Sequence, residues 1–237
     1  MSGLRLTNAK IDLRDGDRAF RLAVDGLTLD PGQAVALTGA SGSGKTLLLE
    51  LLGLLRAPGQ GTAYRAGDTD LAALWSHGPR AAALAQGRGR HFGFVPQTGG
   101  LMPFLTVTEN VALPQQVCNR NDPARVTSLV QRLGLSDVAQ LRPGALSIGQ
   151  RQRTAIARSL AHRPPFVIAD EPTAALDPDS ADGVLELLLE TARQDGTGVI
   201  LSSHDIARMD RFAIPRRALA VTTEGNTVTS RLEGPPC

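Results

Sequence analysis

The sequence is poor in residues that several kinds of function require. Aromatic residues make up 3% of its 237 residues, so an extended stacking surface for single-stranded nucleic acid is not expected. The two cysteines, Cys118 and Cys237, show no metal-ligand or disulfide spacing, which favours a reducing compartment. No apolar run is long enough to span a bilayer, because the most apolar helix candidate, Thr46–Leu55, is short and contains Glu50. If the protein works at a membrane, another chain must supply the spanning helices.

The net charge excludes few classes of function, but the choice between lysine and arginine along the chain is informative. The net charge is +2, which indicates no particular polyanionic partner. The N-terminal segment lacks an apolar core, so we expect no secretory signal. Lysine occurs only at Lys10 and Lys45, and the other 23 of the 25 basic residues are arginine. Because arginine is larger and planar, a lysine kept among so many arginines suggests a need for a compact ammonium group.

The apolar runs predict a parallel sheet. Ala34–Thr38, Pro165–Ala169 and Gly198–Ser202 are compact and apolar, as buried parallel strands are. Helical patterns over Ser147–His162 and Ser180–Gln194 lie between such strands. Strands alternating with helices indicate an α/β fold.

The two ends of the chain and its middle differ from this pattern. Short strand candidates at both ends predict a small antiparallel layer, and the mostly helical stretch before His162 predicts an inserted helical subdomain. The strand candidates are Leu4–Leu6, Phe20–Val24, Leu27–Leu29, Leu219–Thr222 and Thr227–Leu232. We expect one composite domain over residues 1–237. Its predicted parts are an antiparallel layer (about 1–30 and 59–70), a parallel core (31–97 and 162–237) and a helical subdomain (98–161).

The segment GASGSGKT, Gly39–Thr46, fits the phosphate-binding loop pattern G-x-x-x-x-G-K-[ST] after a strand and before a helix. Its glycines let backbone N–H groups turn toward phosphate oxygens, and the helix start adds partial positive charge. Lys45 is then expected to reach the β- and γ-phosphates, with the Thr46 hydroxyl on Mg²⁺. The loop alone predicts a nucleoside triphosphate, since kinases, GTPases and motors share it. A turn that merely joins a strand to a helix is the plainer alternative.

An acidic pair, Asp170 and Glu171, follows the apolar run ending at Ala169. Ligands of parallel sheets bind at the carboxyl ends of the strands. We therefore predict that Asp170 holds the Mg²⁺ shell and that Glu171 polarises an attacking water. The alternative is a solvated acidic turn.

The order of segments resembles the nucleotide-binding subunit of ABC transporters over nearly the whole chain. The loop is followed by FVPQ, LSIGQRQR, VIADEPT, ALD and SSHD. Gln97 matches that family's Q-loop glutamine, Leu146–Gln150 its signature, Asp177 its D-loop aspartate and His204 its switch histidine. The resemblance implies a P-loop NTPase fold with a RecA-like core that binds ATP and Mg²⁺ and hydrolyses the ATP.

The resemblance also implies roles for individual residues. Glu171, His204 and Gln97 are the catalytic candidates, and Thr46, Gln97 and Asp170 are the metal candidates. The nucleotide-binding candidates are Gly39, Ser41, Gly42, Ser43, Gly44, Lys45 and Thr46 on one subunit, with Ser147, Gly149, Gln150 and Asp177 facing a second. ATP would then join two copies head to tail, peripherally on the cytoplasmic face of a bacterial inner membrane.

Two positions depart from the family pattern. The usual signature is LSGGQ, and here Ile148 replaces its first glycine. The aromatic residue that usually stacks on adenine is missing from Lys10–Arg14, and Phe20 is the only aromatic residue before the loop. Base stacking is then weak, or an aliphatic side chain or Arg14 supplies it.

A longer segment narrows the resemblance. The phrase GFVPQ, followed by LMPFLTVTENV, resembles the branch with macrolide exporters, lipoprotein-release ATPases and the FtsE cell-division type. That branch implies a permease partner with an extracytoplasmic domain and no nucleic acid partner. Four apolar residues after Gln97 are either permease contacts or subdomain core: Leu101, Met102, Phe104 and Leu105. Two alternatives remain open: an ATP-dependent scaffold of a cell-envelope complex, and a soluble ABC-type ATPase acting on DNA or the ribosome.

Overall fold

A computed structural model describes residues 3–233, and Cys237 lies outside the described residues. The strands are β1 Leu4–Asp15, β2 Arg18–Leu29, β3 Ala34–Thr38, β4 Ala63–Ala66, β5 Thr69–Asp70, β6 Phe92–Val95, β7 Phe166–Ala169, β8 Gly198–Ser202, β9 Arg216–Glu224 and β10 Thr227–Leu232. The helices are α1 Lys45–Leu52, α2 Ala82–His91, α3 Val107–Val117, α4 Pro123–Arg132, α5 Ile148–Leu160, α6 Pro178–Gln194 and α7 Ile206–Arg211. Short 3₁₀ turns occur at Ala73–His77, Ser136–Val138 and Pro143–Ala145.

The strands of residues 3–233 form one sheet in the order β5-β4-β1-β2-β10-β9-β3-β8-β7-β6. Strands β9, β3, β8, β7 and β6 are parallel neighbours. On the other side, β1 is antiparallel to both β2 and β4. The C-terminal hairpin joins the two parts, because β10 is antiparallel to β9 and parallel to β2. The predicted α/β fold, with a parallel core and an antiparallel layer, is confirmed.

The first hairpin is longer than the apolar runs suggest. The three short candidates Leu4–Leu6, Phe20–Val24 and Leu27–Leu29 are parts of two twelve-residue strands. Asp15 pairs with Arg18 across the turn. Most residues in the second half of β1 are exposed and polar, so their sequence does not show the apolar alternation that predicts a strand. Antiparallel strands tolerate such a solvated stretch because their backbone groups bond to each other.

Two apolar cores hold the layers together. One packs α1 against the antiparallel strands, with Leu48 and Tyr64 fully enclosed, and the Tyr64 hydroxyl donates to the Leu52 carbonyl over 2.5 Å. The other joins helices α3 to α6 to the parallel strands around Ile156 and Val167. Truncating Leu48 to alanine would cost about 2–5 kcal/mol. Since α1 begins at the phosphate-binding loop, this packing fixes the loop on the sheet.

The stretch between residues 98 and 161 contains α3, α4 and α5. Capping boxes define the starts of two of them: Thr106 with Glu109 for α3, and Ser147 with Gln150 for α5. Ser147, the first residue of the predicted helical pattern, is thus the N-cap of α5, whereas the subdomain boundaries stay a prediction. Among residues 3–233, no helix combines the length and apolarity needed to cross a membrane.

Candidate functional site

Four loops meet at the carboxyl edge of the parallel strands. The loop starting at Gly39 follows β3, Gln97 follows β6, Asp170 follows β7 and His204 follows β8. These strands are consecutive neighbours in the order β3-β8-β7-β6. The sheet therefore brings together segments far apart in sequence, at the edge where ligands of such sheets bind.

The glycine-rich loop ends in a helix start that carries no side-chain cap from the described residues. Gly44 is the N-cap of α1 with φ 93°, a left-handed conformation that glycine adopts without steric cost. The first N–H groups of a helix have no partner within it, so they are available to an anion. Lys45 is 7% exposed, and its Nζ donates to the carbonyls of Gly39 and Ala40 over 2.9 and 3.1 Å. The ammonium group is thereby held over the loop.

Thr46 and Asp170 are in direct contact. The Thr46 hydroxyl donates to Asp170 Oδ2 over 2.9 Å. On the other side, the Ser202 hydroxyl donates to Asp170 Oδ1 over 2.6 Å and accepts from the Glu171 N–H over 2.8 Å. Ser202 was not among the predicted residues, although its position at the end of the neighbouring parallel strand was the available signal. It fixes both members of the acidic pair.

The other two catalytic candidates, Gln97 and His204, lie beside the Glu171 carboxylate. Gln97 Nε2 donates to Glu171 Oε2 over 3.2 Å, and His204 Nδ1 lies 3.7 Å from Glu171 Oε1. Glu171 has φ 44°, and a left-handed residue other than glycine costs on the order of 1–3 kcal/mol. Such strain is retained where the surroundings over-determine it, and it is common at active sites. The carboxylate therefore faces both Gln97 and His204.

Gln97, Asp170, Glu171 and most of the phosphate-binding loop share one cavity of about 490 Å³, with His204 beside Glu171. It is lined by Leu13, Phe20, Gln97, Asp170, Glu171 and Ser41 to Leu47. Most of the predicted phosphate, metal and catalytic candidates are thus brought together. The volume is in the range of small-molecule sites.

The outer end of this cavity contains an aromatic ring that the sequence did not locate. Phe20 lies against the loop, since a Cβ built on Gly44 would be 3.0 Å from the Phe20 Cζ atom. Leu13 is paired with Phe20 across β1 and β2 and is 38% exposed. Both residues also line an adjoining cavity of about 790 Å³ with Arg14 and Asn226. The strand register that puts Phe20 beside the loop was not readable from composition.

The signature residues lie elsewhere. Ser147 Oγ accepts from the Gln150 N–H over 3.2 Å, and Gln150 Oε1 accepts from the Ser147 N–H over 2.9 Å. Ile148, the departure from the family pattern, is the first residue of α5 and is 50% exposed. Both hydrogen bonds of the cap are present with Ile148 at this position.

Asp177 is close to the signature in a second cavity of about 760 Å³ that also contains Ser147, Ile148 and Gly149. Asp177 Oδ1 accepts from the Ser180 N–H over 3.0 Å, and this bond lowers the pKa of the carboxyl. The described lining residues of this cavity and of the phosphate-loop cavity do not overlap. Within one chain, therefore, the signature and Asp177 do not meet the phosphate-binding loop.

The oxygen atoms beside the loop fit a magnesium ion. A hydroxyl and a carboxylate 2.9 Å apart, Thr46 and Asp170, are hard ligands of the kind Mg²⁺ prefers. Mg²⁺ in nucleotide sites commonly takes only one or two protein ligands and completes its shell with water and phosphate oxygens. A dense metal cluster is not needed, and residues 3–233 contain no group of three histidine, cysteine or acidic residues suited to one.

Comparisons with known proteins agree with this geometry. The ABC transporter family profile matches residues 23–174. The chain is 38% identical over 231 residues to a lipoprotein-releasing system ATP-binding protein LolD of Paramagnetospirillum magneticum, covering 92% of this chain and 97% of that one. It is 41% identical over 192 residues to the LolD protein of Pseudomonas syringae pv. tomato, covering 78% and 82%.

Comparison with solved structures points to the same family. A dimeric post-hydrolysis state of the ATP-binding cassette MJ0796, bound to ADP and Pi, superposes with a TM-score of 0.77 at 29% identity. The match covers 98% of this chain and 97% of that one. A second dimeric structure of MJ0796, described as a bacterial ABC transporter cassette, gives a TM-score of 0.78 with the same coverage.

Proposed function

The chain belongs to the ABC transporter family as an ATP-binding and ATP-hydrolysing subunit, and we propose that it drives a separate membrane permease in lipoprotein release. The observation that carries the proposal is the contact group around Asp170 and Glu171. Thr46, Gln97 and His204 reach this pair from three other loops. The relatives named LolD support the choice of lipoprotein release within the export branch.

We assign the phosphates to the loop Gly39–Thr46. The uncapped N–H groups at the start of α1 face them, and Lys45 would exchange its carbonyl partners for the β- and γ-phosphate oxygens. Thr46, Asp170 and Gln97 would hold Mg²⁺, which when bound neutralises charge on the phosphates. Ser41, Gly42, Ser43 and Gly44 complete the cradle.

We assign the hydrolytic step to Glu171 and His204. The Glu171 carboxylate would orient and polarise the attacking water, with Gln97 holding the carboxylate in place. The exposed His204 ring, beside Glu171, would contact the γ-phosphate. An intact set of these three residues favours turnover over the scaffold alternative, in which binding alone would suffice.

The base would lie against Phe20. Phosphates seated at Gly44 leave the nucleoside to emerge past the Phe20 ring and Leu13, which line the outer end of the same cavity. An aromatic face and an aliphatic side chain are suitable for stacking a purine. Phe20 on β2 would then replace the aromatic residue missing from Lys10–Arg14.

We propose that two copies form each complete site. In one chain, Ser147, Gly149 and Asp177 line a cavity apart from the loop, and Gln150 is hydrogen-bonded to Ser147, so a second copy is needed to bring these residues to the γ-phosphate. The capped helix start at Ser147 is suited to an anion. The dimeric MJ0796 structures support this arrangement. The dimer would bind peripherally at the cytoplasmic face of the inner membrane, to a permease with an extracytoplasmic domain.

The test is ATP-driven dimerisation. Glu171→Gln should slow hydrolysis by about 100-fold or more, as expected for loss of a general base, and should trap an ATP-bound dimer. Size-exclusion chromatography with light scattering at millimolar ATP and Mg²⁺ would show a doubled mass. Glu190→Gln, on the exposed side of α6, is the matched control. A Glu171→Gln chain that binds ATP but stays monomeric would contradict the two-subunit proposal.

Lipoprotein release is tested separately. A tagged copy of the chain, isolated from membranes, should bring with it a permease whose genes encode an extracytoplasmic domain. Depleting the chain should leave lipoproteins in the inner membrane. Recovery with a DNA- or ribosome-bound complex instead would favour the soluble ABC-type alternative.

A further inference from the structure

Arg158 connects the signature helix to the loop that follows Gln97. Its Nη1 donates to the Gly100 carbonyl over 2.7 Å, and its Nη2 donates to the Gly99 carbonyl over 2.8 Å. The guanidinium thus grips two successive carbonyls with its two terminal nitrogens. Charge-assisted hydrogen bonds of this forked kind are stronger and geometrically more specific than single neutral ones.

Arg158 is partly buried, and carbonyl groups compensate its charge. Within residues 3–233, no carboxylate lies within 4.0 Å of its guanidinium nitrogens, and burial lowers its pKa. The Gly99 and Gly100 carbonyls therefore supply the hydrogen bonds that this partly buried charge needs. Replacing Arg158 with an uncharged residue would remove both of the bonds that it makes to the loop.

The loop held by Arg158 turns on two glycines. Gly99 and Gly100 both have left-handed φ values, 74° and 55°, and the Gly99 N–H bonds back to the Pro96 carbonyl over 2.9 Å. Beside it, Gln152 of α5 is 6% exposed, and its Oε1 is 3.8 Å from a Cβ built on Gly99. The loop therefore packs against α5 at Gln152 as well as at Arg158.

The helix that carries Arg158 also carries the signature. Helix α5 begins at Ile148, with Ser147 as its cap, and Arg158 lies near its other end. Eleven residues at 1.5 Å each separate Ser147 from Arg158 by about 16 Å along one helix. A shift of the loop at Gly99 would therefore be transmitted to Ser147 as a movement of the whole helix. At the loop's other end, Gln97 bonds Glu171 in the chain's own phosphate cavity.

We propose that Arg158 is a positioning residue that couples the two ATP sites of the dimer. It would transmit the state of Gln97 in one subunit to Ser147 and Gly149, which complete the site of the other subunit. The inference rests on the proposed two-subunit function. It assigns to Arg158 no contact with the nucleotide, so its loss should affect cooperation between sites and leave binding to a single chain intact.

The test separates binding, dimerisation and turnover. Arg158→Gln should leave the affinity of the monomer for a fluorescent ATP analogue within about twofold. It should lower the maximal ATPase rate by about tenfold, as expected for losing a charged hydrogen-bond pair. The Hill coefficient for ATP, which is limited to the number of sites, should fall from near 2 to near 1. In the Glu171→Gln background it should weaken the ATP-bound dimer. Arg158→Lys, which reaches only one carbonyl at a time, should give intermediate values.

Two further variants keep the result interpretable. Arg88→Gln removes another arginine-to-carbonyl bond, from Arg88 Nη1 to the Leu54 carbonyl over 3.0 Å, which involves neither α5 nor the Gly99 and Gly100 carbonyls, and should change none of these quantities. Gly100→Ala strains the loop from its own side and should reproduce the Arg158→Gln effect, with the double variant no worse than either single one.

The outcomes distinguish a failure of this inference from a failure of the proposed function on which it rests. A wild-type chain that neither hydrolyses ATP nor dimerises would contradict the proposed function itself. If the wild type does both, an Arg158→Gln variant with an unchanged rate and Hill coefficient would overturn the coupling role. A variant that loses thermal stability and monomer binding together would also overturn it, in favour of a purely structural role.

Discussion

Thr46 Oγ1 donates a hydrogen bond to Asp170 Oδ2 over 2.9 Å, joining two residues 124 positions apart in the sequence. The bond connects the start of α1 to the end of β7 and so closes the phosphate-binding loop onto the acidic pair. Under the proposed magnesium assignment, this hydroxyl and this carboxylate would exchange their mutual hydrogen bond for contacts to the ion or to its water shell.

Asp170→Asn should therefore affect the magnesium-dependent reaction more than nucleotide binding. An amide retains a hydrogen-bond acceptor for Thr46 but loses the charge that attracts the ion. We expect ATP hydrolysis to fall by about 100-fold or more, whereas binding measured in EDTA changes by less than about threefold. Steady-state assays across Mg²⁺ concentrations check the first part and calorimetry the second. Asp137→Asn, on an exposed 3₁₀ turn, is the control; equal loss in both assays would argue against a metal role.

Lys45→Ala should abolish ATP binding. Its ammonium group is held over the loop by the Gly39 and Ala40 carbonyls, and the loop contains no other lysine. A loss of at least about 100-fold in affinity, or about 2.8 kcal/mol, is expected by calorimetry. The other lysine of the chain, Lys10, is exposed and provides a matched control as Lys10→Ala. An affinity unchanged by Lys45→Ala would rule out the loop as the phosphate site.

Phe20→Ala should raise the KM for ATP by roughly 5- to 150-fold, because stacking of a base on an aromatic ring is worth about 1–3 kcal/mol. Leu13→Tyr should have the opposite effect and lower the KM several-fold, since it adds a ring directly across from Phe20. Steady-state kinetics measure both, with Leu141→Ala as an exposed apolar control. A KM unaffected by Phe20→Ala, with normal folding, would move the base to another surface.

The free energy of unfolding should fall as the pH drops below about 6.5. Burial lowers the pKa of His91 and of His162, and the nearby Arg120 charge adds to this in both cases. The folded chain keeps these rings neutral while the unfolded chain protonates them, so stability is present above the unfolded pKa and is lost as the pH falls toward the folded one. Urea unfolding at pH 7.5, 6.5 and 5.5 measures the slope.

His162→Gln should flatten that slope, because one of the two depressed groups is removed and glutamine can still donate to the Phe92 carbonyl that the ring now contacts. His77→Gln, at an exposed position, should leave the slope as it is. The carboxyl groups with lowered pKa values, among them Asp122 and Asp177, act only at lower pH and do not mask the effect. If the pH dependence of the free energy of unfolding is the same in His162→Gln, His162 does not contribute to it.

Local sequence was informative where a backbone shape depends on nearby residues. The loop Gly39–Thr46 and the cap at Ser147 are defined by short patterns, and both have the expected conformation. The buried strand Gly198–Ser202 was predicted with the bounds it has, because a short apolar run between turns has few alternatives. By contrast, the extent of β1 and β2 depended on pairing between strands, which side-chain polarity does not report.

The contributions of Ser202, Phe20 and Arg158 could not be predicted for the same reason. Ser202 reaches Asp170 because β8 lies beside β7 in the sheet. Phe20 reaches Gly44 because the β1–β2 hairpin folds over the loop. Arg158 reaches Gly99 through the packing of α5 against the segment after Gln97. None of these contacts is between residues close in sequence.

The sequence by itself determined the chemistry of this protein: a phosphate-binding loop with its single nearby lysine, an acidic pair, and a signature that calls for a second copy. Those features depend on residue type and local spacing, which can be read directly from the sequence. Only the tertiary structure decided which side chains share a cavity, because that depends on strand order and register. It brought Thr46, Asp170, Glu171, Gln97 and His204 together, kept Ser147 and Asp177 apart from them, and put Phe20 beside the phosphate-binding loop.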